Sequence, residues 1–363
     1  MTISKHSPLQ VGILSTARIA DEFCEGNIGN PRIRIAAVGS RNAQTAQAFA
    51  EKHGIARAHD SYEALLADPQ IDAVYIPLPN HLHAQWAIAA AKAGKHVLCE
   101  KPLAMSVPEA RVMFDAADKA NVMLLEGYPY WYQMHLRQVR NWVHGNGGSQ
   151  ASELGRVRSL QAHFSFPLVN RAGDIRARAD TGGGATGDLG CYVVSLAQLI
   201  MGRLPSAVHA VPVWSSADKA KRVDMSMAIT MNYEDGAVAQ LLCGMNQSYR
   251  RAARICGEHG VIETSFPNHT ANHRSVLNHT HDVHPTLWRG PMLNELAAHS
   301  PQSVGNGFYL EAQKFADIVQ TQDRLAIAQA KELSLAVATV LDAVKLSATS
   351  GQSVKITPTL ALV

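Results

Sequence analysis

The segment LCEKPLAMS, residues 98–106, places an acid, a base and a proline directly after a short apolar run. Pro102 has no N–H to donate to a sheet, so it turns the chain away from a strand. Glu100 and Lys101 are therefore predicted at the carboxyl end of a buried strand, where open α/β sheets bind their ligands. A lysine there can direct its ammonium group toward the reactive end of a bound molecule.

A second candidate for chemistry is the segment ADTGGGATGDLGCY, residues 179–192. Its three consecutive glycines, Gly182 to Gly184, permit unusual backbone angles or a close approach of other groups. Asp188 and Tyr192 are four residues apart, so they are expected to share one face of a helix. An Asp–Tyr pair alone is an ordinary surface feature, but beside a lysine it becomes a candidate set for proton transfer.

The first predicted strand, LQVGIL, is followed by a turn in which a dinucleotide domain would bind pyrophosphate. Backbone N–H groups and the start of a helix face the anion in such a turn. Ser15 and Ala17 occupy two of the places where glycines are usual, and Ala20 occupies the third. An ordinary tight turn and a pyrophosphate site both fit this pattern. The candidate cofactor residues here are Ser15, Thr16, Ala17, Arg18 and Ile19.

The second predicted strand ends in AVGSR, without the acid that usually meets a free ribose 2′-hydroxyl. Ser40 and Arg41 stand there instead, and an arginine can pair with a 2′-phosphate. This favours NADP over NAD, although NAD stays possible. In the alternative interpretation, Asn42 caps the next helix and Arg41 is merely solvated.

Short β-rich runs alternate with helical patterns through the first third of the chain, as in right-handed βαβ units. After the Gly- and Ser-rich segment NGGSQASELG, alternating strands with turn signals predict an antiparallel sheet, and helices return after Phe308. The predicted fold is an α/β doubly wound Rossmann domain, residues 1–130. It is followed by an α+β domain, residues 131–363, with an open, mostly antiparallel sheet for substrate binding and oligomerisation.

Composition excludes several classes of function. A net charge of +3 over 363 residues is too small to indicate a nucleic-acid partner. We expect no membrane association, because no segment approaches roughly 18 uninterrupted apolar residues. Five scattered cysteines without CxxC spacing, and an N-terminus without signal-peptide features, favour the cytoplasm. The histidines of residues 269–284 lack the spacing typical of metal ligands, so no metal site is expected.

Four motifs together resemble the Gfo/Idh/MocA family of NAD(P)-dependent oxidoreductases: EKP, PNHLHA, GGGATGDLGCY and GFYLEAQKFADIV. The likeness covers almost the whole chain, and GILSTARIA, AVGSR and DLGCY look most like the branch with dimeric dihydrodiol dehydrogenase and D-xylose 1-dehydrogenases. The resemblance implies Lys101 as catalytic lysine, Tyr192 as proton-transfer residue and Asp188 as a partner of the substrate or of the lysine. It also implies a homodimer or homotetramer formed through the C-terminal sheet. Further positions implied near the cofactor are Pro77, Leu78, Asn80, His83, Glu100 and Lys101.

One segment departs from the family pattern. Many relatives have an aromatic-Arg-aromatic-His-Pro run after the fifth predicted strand, whereas residues 128–133 read YPYWYQ. An aromatic wall in place of a charge puts a simple aldose in doubt and favours a more apolar or glycosylated alcohol. The candidate substrate residues are Tyr130, Trp131, Phe166 and Arg176.

These observations predict hydride transfer between NADP(H) and a secondary alcohol or hemiacetal carbon of a carbohydrate-like substrate, such as a sugar, cyclitol or related diol. A tyrosine has an unperturbed pKa of about 10, and an adjacent lysine ammonium would favour its phenolate. The alternatives are a ketoreductase for a nucleotide-linked or glycosidic sugar, a trans-dihydrodiol dehydrogenase, and a non-catalytic dinucleotide sensor. The joint presence of Lys101, Asp188 and Tyr192 argues against the sensor.

Overall fold

The computed structural model describes residues 7–145, 152–169, 173–265, 285–290, 295–299 and 306–357. The chain divides into two compact units: a first unit of residues 1–132 with 306–335, and a second unit of residues 133–305 with 336–363. The sequence had assigned everything after residue 130 to one domain. The division differs because Phe308 and Phe315 are buried in the same core as Phe23, near the start of the chain.

The first unit is built on a six-stranded parallel sheet with the order β3-β2-β1-β4-β5-β6. Its strands are β1 (Leu9–Leu14), β2 (Ile33–Gly39), β3 (Arg57–His59), β4 (Ala73–Ile76), β5 (His96–Glu100) and β6 (Leu124–Gly127). Its helices are α1 (Arg18–Gly26), α2 (Ala43–His53), α3 (Tyr62–Ala67), α4 (His83–Lys92), α5 (Val107–Ala120) and α8 (Gly307–Thr321). The Rossmann-like doubly wound sheet is confirmed, but β3 and α3 were not predicted from the sequence.

The core of the first unit explains why its strands read as apolar runs rather than as alternating patterns. All four residues of β4 and all four of β6 are buried, as in parallel sheets covered on both faces. Phe23 of α1 stacks on Tyr75 of β4 with ring centroids 4.0 Å apart. Phe308 of α8 meets Phe23 edge-on at 5.8 Å, which packs this late helix against the first one.

The second unit contains a nine-stranded sheet with the order β14-β13-β12-β11-β7-β10-β9-β8-β15. Only the β7–β10 pair is parallel among these pairings, so the mostly antiparallel sheet is confirmed. The strands are β7 (Val157–Ser165), β8 (Ala207–Trp214), β9 (Asp224–Asn232), β10 (Val238–Gly244), β11 (Arg250–Gly257), β12 (Gly260–Thr264), β13 (Thr286–Arg289), β14 (Glu295–His299) and β15 (Val354–Lys355). The helices are α6 (Met134–His144) and α7 (Cys191–Met201).

Helix α9 (Arg324–Ser350) is long and apolar enough to cross a membrane by length and composition. However, 61% of its most apolar stretch is buried within the protein. Val337, Val340 and Val344 are among its buried residues. A core helix of a soluble protein passes the same test, so α9 is weak evidence for a membrane span.

Glu126, at the end of β6, generates a prediction about stability. Its carboxylate accepts a hydrogen bond from the Leu103 N–H at 2.8 Å, and burial raises its pKa to about 7. The folded protein therefore binds a proton on Glu126 more tightly than the unfolded chain does. The ionised carboxylate lowers the free energy of unfolding at high pH, and this loss fades as the pH falls toward 4.5.

We expect Glu126→Gln to change this pH dependence. The free energy of unfolding of the variant minus that of the wild type should be about 2 to 3 kcal/mol larger at pH 8 than at pH 5. Denaturant unfolding of both proteins at the two pH values measures the difference. The same stability difference at pH 8 and pH 5 would contradict the argument.

Candidate active site

The turn between β1 and α1 contains a residue in an unusual backbone conformation. Ser15 has a φ of 139°, a conformation that glycine adopts far more readily than other residues. The Ala17 N–H donates to the Ser15 Oγ at 3.1 Å, and no side chain caps the start of α1. Ser15 therefore has a glycine-like backbone conformation, and the uncapped helix start suits an anion. The binding of pyrophosphate here stays a prediction.

Ser40 and Arg41, the residues predicted to meet the 2′-phosphate, differ in exposure, and their role stays a prediction. The buried Ser40 donates its N–H to the His59 carbonyl at 3.1 Å, whereas Arg41 is exposed. Asn42 does cap α2, accepting from the Thr45 N–H at 3.0 Å, so the capping interpretation holds for Asn42 without using Arg41. Burial raises the pKa of the Tyr62 phenol, and the nearby Arg41 charge opposes that shift. Tyr62 is thus a neighbour of this site that sequence reasoning missed.

His83 was expected near the cofactor, but its side chain has 0% exposed surface. Its Nδ1 lies 2.9 Å from the Pro102 carbonyl oxygen, and its Nε2 lies 2.8 Å from that of Leu78. A neutral imidazole can donate to only one of these oxygens at a time. His83 therefore ties the loop after β4 to the turn after β5, behind the surface that a ligand could touch.

The remaining candidates of the loop after β4 divide by burial. Pro77 and Leu78 are buried, whereas Asn80 is partly exposed at the start of a 3-10 turn that leads into α4. Only Asn80 of these three offers substantial surface to a ligand. Pro77 and Leu78 give the loop its path.

Glu100 and Lys101 share the carboxyl end of β5 but differ in their surroundings. Glu100 is buried and accepts a hydrogen bond from the Tyr75 hydroxyl at 2.6 Å. Burial raises the pKa of Glu100, while the Lys101 charge and the Tyr75 bond oppose the shift. Lys101 is partly exposed, so it is the member of the pair that presents surface for chemistry.

In the second unit, the predicted proton-transfer residues lie on a helix that begins with a π-helical turn. The turn spans Thr186–Gly190 and continues directly into α7, so Asp188 and Tyr192 lie on one continuous helix whose first turn is wider than an α-helix. Arg176, expected to bind substrate, donates from its Nε to the Asp188 Oδ2 at 2.8 Å. The Asp188 and Asp174 charges raise the pKa of Arg176. Arg176 is therefore a partner of Asp188 in this structure.

Aromatic packing surrounds Tyr192, which is 3% exposed. Its ring meets Phe164 of β7 edge-on at 5.1 Å, and the Arg251 guanidinium lies 4.4 Å from the Phe164 ring centroid. Phe166, the predicted substrate residue, lies just beyond β7, is only partly buried and donates its N–H to the Gly244 carbonyl at 3.1 Å. Phe164, which was not predicted, is the neighbour of Tyr192, and the role of Phe166 stays a prediction.

The aromatic run after β6 forms a packed cluster in the first unit. Tyr130 and Trp131 lie in a 3-10 turn, Pro129–Tyr132, and both are buried. Trp131 stacks on Tyr128 with centroids 4.3 Å apart, and Tyr130 meets Tyr128 edge-on at 6.1 Å. Their proposed contact with substrate stays a prediction.

No group of three or more His, Cys, Asp or Glu side chains that could hold a metal occurs in the part of the chain that the structure describes. The histidines of residues 269–284 lie outside the described residues. None of the five cysteines, all of which lie within the described residues, forms a disulfide.

Comparison with known proteins assigns both parts of the chain. Residues 9–128 match the oxidoreductase family with an NAD-binding Rossmann fold, and residues 137–263 match the GFO/IDH/MocA C-terminal domain. An NADP(+)-dependent D-xylose 1-dehydrogenase of Haloferax volcanii is 38% identical over 257 residues, 71% of this chain and 76% of the relative. A trans-1,2-dihydrobenzene-1,2-diol dehydrogenase of Xenopus laevis is 32% identical over 69% of this chain and 74% of its own length.

A solved structure extends the likeness to nearly the full length. It is a 3-ketoreductase from Actinomadura kijaniata in complex with NADP and TDP-benzene, with 29% identity and a TM-score of 0.78. The match covers 94% of this chain and 98% of the ketoreductase. These relatives are oxidoreductases, and the xylose dehydrogenase and the ketoreductase are named or solved with NADP.

The exposed Arg41 leads to a prediction about cofactor choice. Arg41→Ala removes a charged donor for a 2′-phosphate, so NADP should bind about 10-fold or more weakly while NAD affinity barely changes. Titration of protein fluorescence with each cofactor measures both dissociation constants. Arg34→Ala, at an exposed position near the start of β2, is the matched control. Equal losses for the two cofactors would refute the role of Arg41.

Proposed function

Because the chain belongs to the Gfo/Idh/MocA family of oxidoreductases, we propose that it transfers a hydride between NADP(H) and a secondary alcohol or hemiacetal carbon of a sugar, cyclitol or related diol. The observation that carries this proposal is the partly exposed Lys101 at the carboxyl end of β5, on the same sheet edge as the glycine-like turn at Ser15. Ligands of open α/β sheets bind at this edge.

The residues of the first unit fit a bound NADP. The helix start after Ser15 would bind the pyrophosphate, Ser40 and Arg41 would receive the 2′-phosphate, and Asn80 would contact the nicotinamide side. When bound, the cofactor supplies the redox chemistry, while the protein orients it and manages the proton.

The chain's own residues would accept and return the proton of the substrate hydroxyl. In the direction of alcohol oxidation, Tyr192 as phenolate would accept the proton of the substrate hydroxyl, and in reduction it would return that proton to the alkoxide oxygen. The Lys101 ammonium would donate a hydrogen bond to the same oxygen and stabilise its negative charge. Asp188, paired with Arg176, would orient the substrate or the lysine.

The substrate class follows from chemistry and from the relatives. A buried aromatic run in place of the family's charged motif favours a substrate with an apolar or glycosylated portion. A ketoreductase on a nucleotide-linked or glycosidic sugar, or a trans-dihydrodiol dehydrogenase, is the alternative, as the names of two relatives suggest. We also propose a cytoplasmic location, because none of the five cysteines, all of which are described, forms a disulfide.

A substrate panel tests the proposal directly. Sugars, cyclitols, aromatic dihydrodiols and nucleotide-linked sugars are each incubated with NADP and with NAD, and the absorbance band of the reduced nicotinamide is followed. Keto sugars with NADPH test the reverse direction. Binding of NADP without turnover of any panel member would favour the dinucleotide-sensor alternative.

Two substitutions test the assigned roles. Tyr192→Phe removes only a hydroxyl, so it should leave folding and NADP affinity intact while turnover falls about 10² to 10⁴-fold. Lys101→Met should be at least as damaging, because it removes the charge that stabilises both the phenolate and the alkoxide. Steady-state kinetics with the best panel substrate measures both. Wild-type turnover in Tyr192→Phe would refute the role of this tyrosine.

Self-association is a further part of the proposal, with a homodimer or homotetramer formed through the nine-stranded sheet. Met225, Met227 and Ile229 of β9 are buried, so the apolar side chains on that face of the strand already have cover. Val211 and Val213 of β8, by contrast, are 56% and 52% exposed. Paired exposed valines of this kind are suited to burial against a second copy.

Light scattering at micromolar concentration should therefore give the mass of a dimer or tetramer. The double substitution Val211→Lys with Val213→Lys should shift the protein toward monomer, because it buries charge at the contact. Ile28→Lys, at an exposed apolar position of the first unit, is the control and should leave the mass unchanged. A monomeric wild type would rule out the proposed assembly.

A further inference from the structure

The π-helical turn Thr186–Gly190 has no cap from its own segment, and a distant residue supplies one. Asp224, the first residue of β9, accepts two hydrogen bonds on its Oδ2: one from the Thr186 N–H at 2.6 Å and one from the Thr186 hydroxyl at 2.7 Å. We propose that Asp224 and Thr186 are positioning residues that hold the π-helical turn, which carries Asp188 and leads directly into Tyr192 of α7, in its working geometry. The inference rests on the proposed function for the roles of Asp188 and Tyr192.

The physics of helix ends makes this contact effective. The first N–H groups of a helix have no partner within the helix, and an acceptor at that end satisfies them. A carboxylate also interacts favourably with the helix dipole and forms charge-assisted hydrogen bonds. A local Ser or Asn could provide a cap, but Asp224 lies 38 residues further along the chain and also fixes the turn to the sheet.

Two of the three consecutive glycines, Gly183 and Gly184, are required by this arrangement. Gly184 has a φ of 114°, and a Cβ there would collide with the Asp224 Oδ1. A Cβ at Gly183 would lie 2.6 Å from the carbonyl oxygens of Ile175, Arg176 and Arg178. The glycines therefore let the carboxylate approach the helix start from one side while the Arg176 segment packs closely from the other.

Two contacts thus fix the turn at its first and third residues. Asp224 holds Thr186, and Arg176 holds Asp188 through a 2.8 Å hydrogen bond. A π-helical turn has more residues per turn than an α-helix and is rare, so contacts from outside the turn help to maintain it. Asp224 is only 9% exposed, and burial raises its pKa to about 6 while the bonds from Thr186 oppose the shift. A buried carboxylate is costly, which argues that its position here serves more than stability.

A set of four variants tests the inference. Thr186→Val removes the hydroxyl and keeps the side-chain shape, Thr186→Ser keeps the hydroxyl, and Asp224→Asn removes the charge with little change in size. Thr230→Val makes the same change in the middle of β9 and is the control. We expect Thr186→Val and Asp224→Asn to lower kcat about 10- to 100-fold, because small displacements of reacting groups are costly. NADP dissociation constants should be unchanged, and Thr186→Ser and Thr230→Val should resemble the wild type.

Hydrogen exchange provides a second readout that does not depend on turnover. In the NADP-saturated protein, the amides of residues 186–192 should exchange several-fold faster in Thr186→Val and Asp224→Asn, while those of the control stay protected. If Thr186→Val does not fold, Asp224→Asn and Thr186→Ser decide the outcome.

Including Tyr192→Phe in the same assays separates the possible failures. Loss of turnover in Tyr192→Phe together with wild-type kcat in Thr186→Val and Asp224→Asn would overturn the positioning role and leave the proposed function standing. Wild-type turnover in Tyr192→Phe would overturn the proposed function instead. In that case, unchanged exchange at residues 186–192 in Thr186→Val and Asp224→Asn would also overturn the positioning role of Asp224 and Thr186. Faster exchange there would support that role.

Discussion

The parallel pairing of β1, β2, β4 and β5 is the constraint on which the first unit's site depends. Parallel strands bring all their carboxyl ends to one edge of a sheet. Residues far apart in sequence, such as Ser15, Arg41 and Lys101, therefore follow strands that end at a common edge. Behind this edge, the His83 ring nitrogens contact two loop carbonyls and the Tyr75 hydroxyl donates to Glu100. These contacts hold the loops without occupying ligand surface.

The second unit is organised differently, because the two residues proposed for proton transfer lie on one helix rather than at several strand ends. The position of that helix therefore sets the position of both side chains. A cap contributed by β9 and an ion pair contributed by Arg176 fix its first turn, and glycines make room for both. Phe164 packs against Tyr192 from β7, so sheet and helix together define where the phenol lies.

Much of this arrangement could be predicted from the sequence because its signals are local. The strand–Pro boundary placed Lys101 at a strand end, and small residues after β1 indicated a turn that does adopt a glycine-like φ at Ser15. The short strand β3 gave no periodic signal over three residues, so it was missed. Which helices joined which unit depended on long-range packing of Phe308 and Phe315, and no local pattern reports such contacts.

The site shows the same division between local and tertiary information. Residue types identified Asp188 and Tyr192, but not the partnership of Asp188 with Arg176 or the cap from Asp224, which join residues 12 and 38 positions apart. Burial also reassigned residues: His83 and Glu100 match motif positions near a cofactor, yet both lie behind the accessible surface. Motifs thus indicate which residues matter, and packing determines how each of them acts.

Direct hydride transfer from a carbinol carbon of the substrate to NADP can be followed with an isotope label. The best panel substrate is prepared with deuterium on the carbon to be oxidised, and the reduced cofactor is analysed by mass spectrometry. We expect NADPH to carry the deuterium, with none lost to water. Unlabelled NADPH with deuterium in the solvent, or no reduced cofactor from any alcohol despite tight NADP binding, would contradict it.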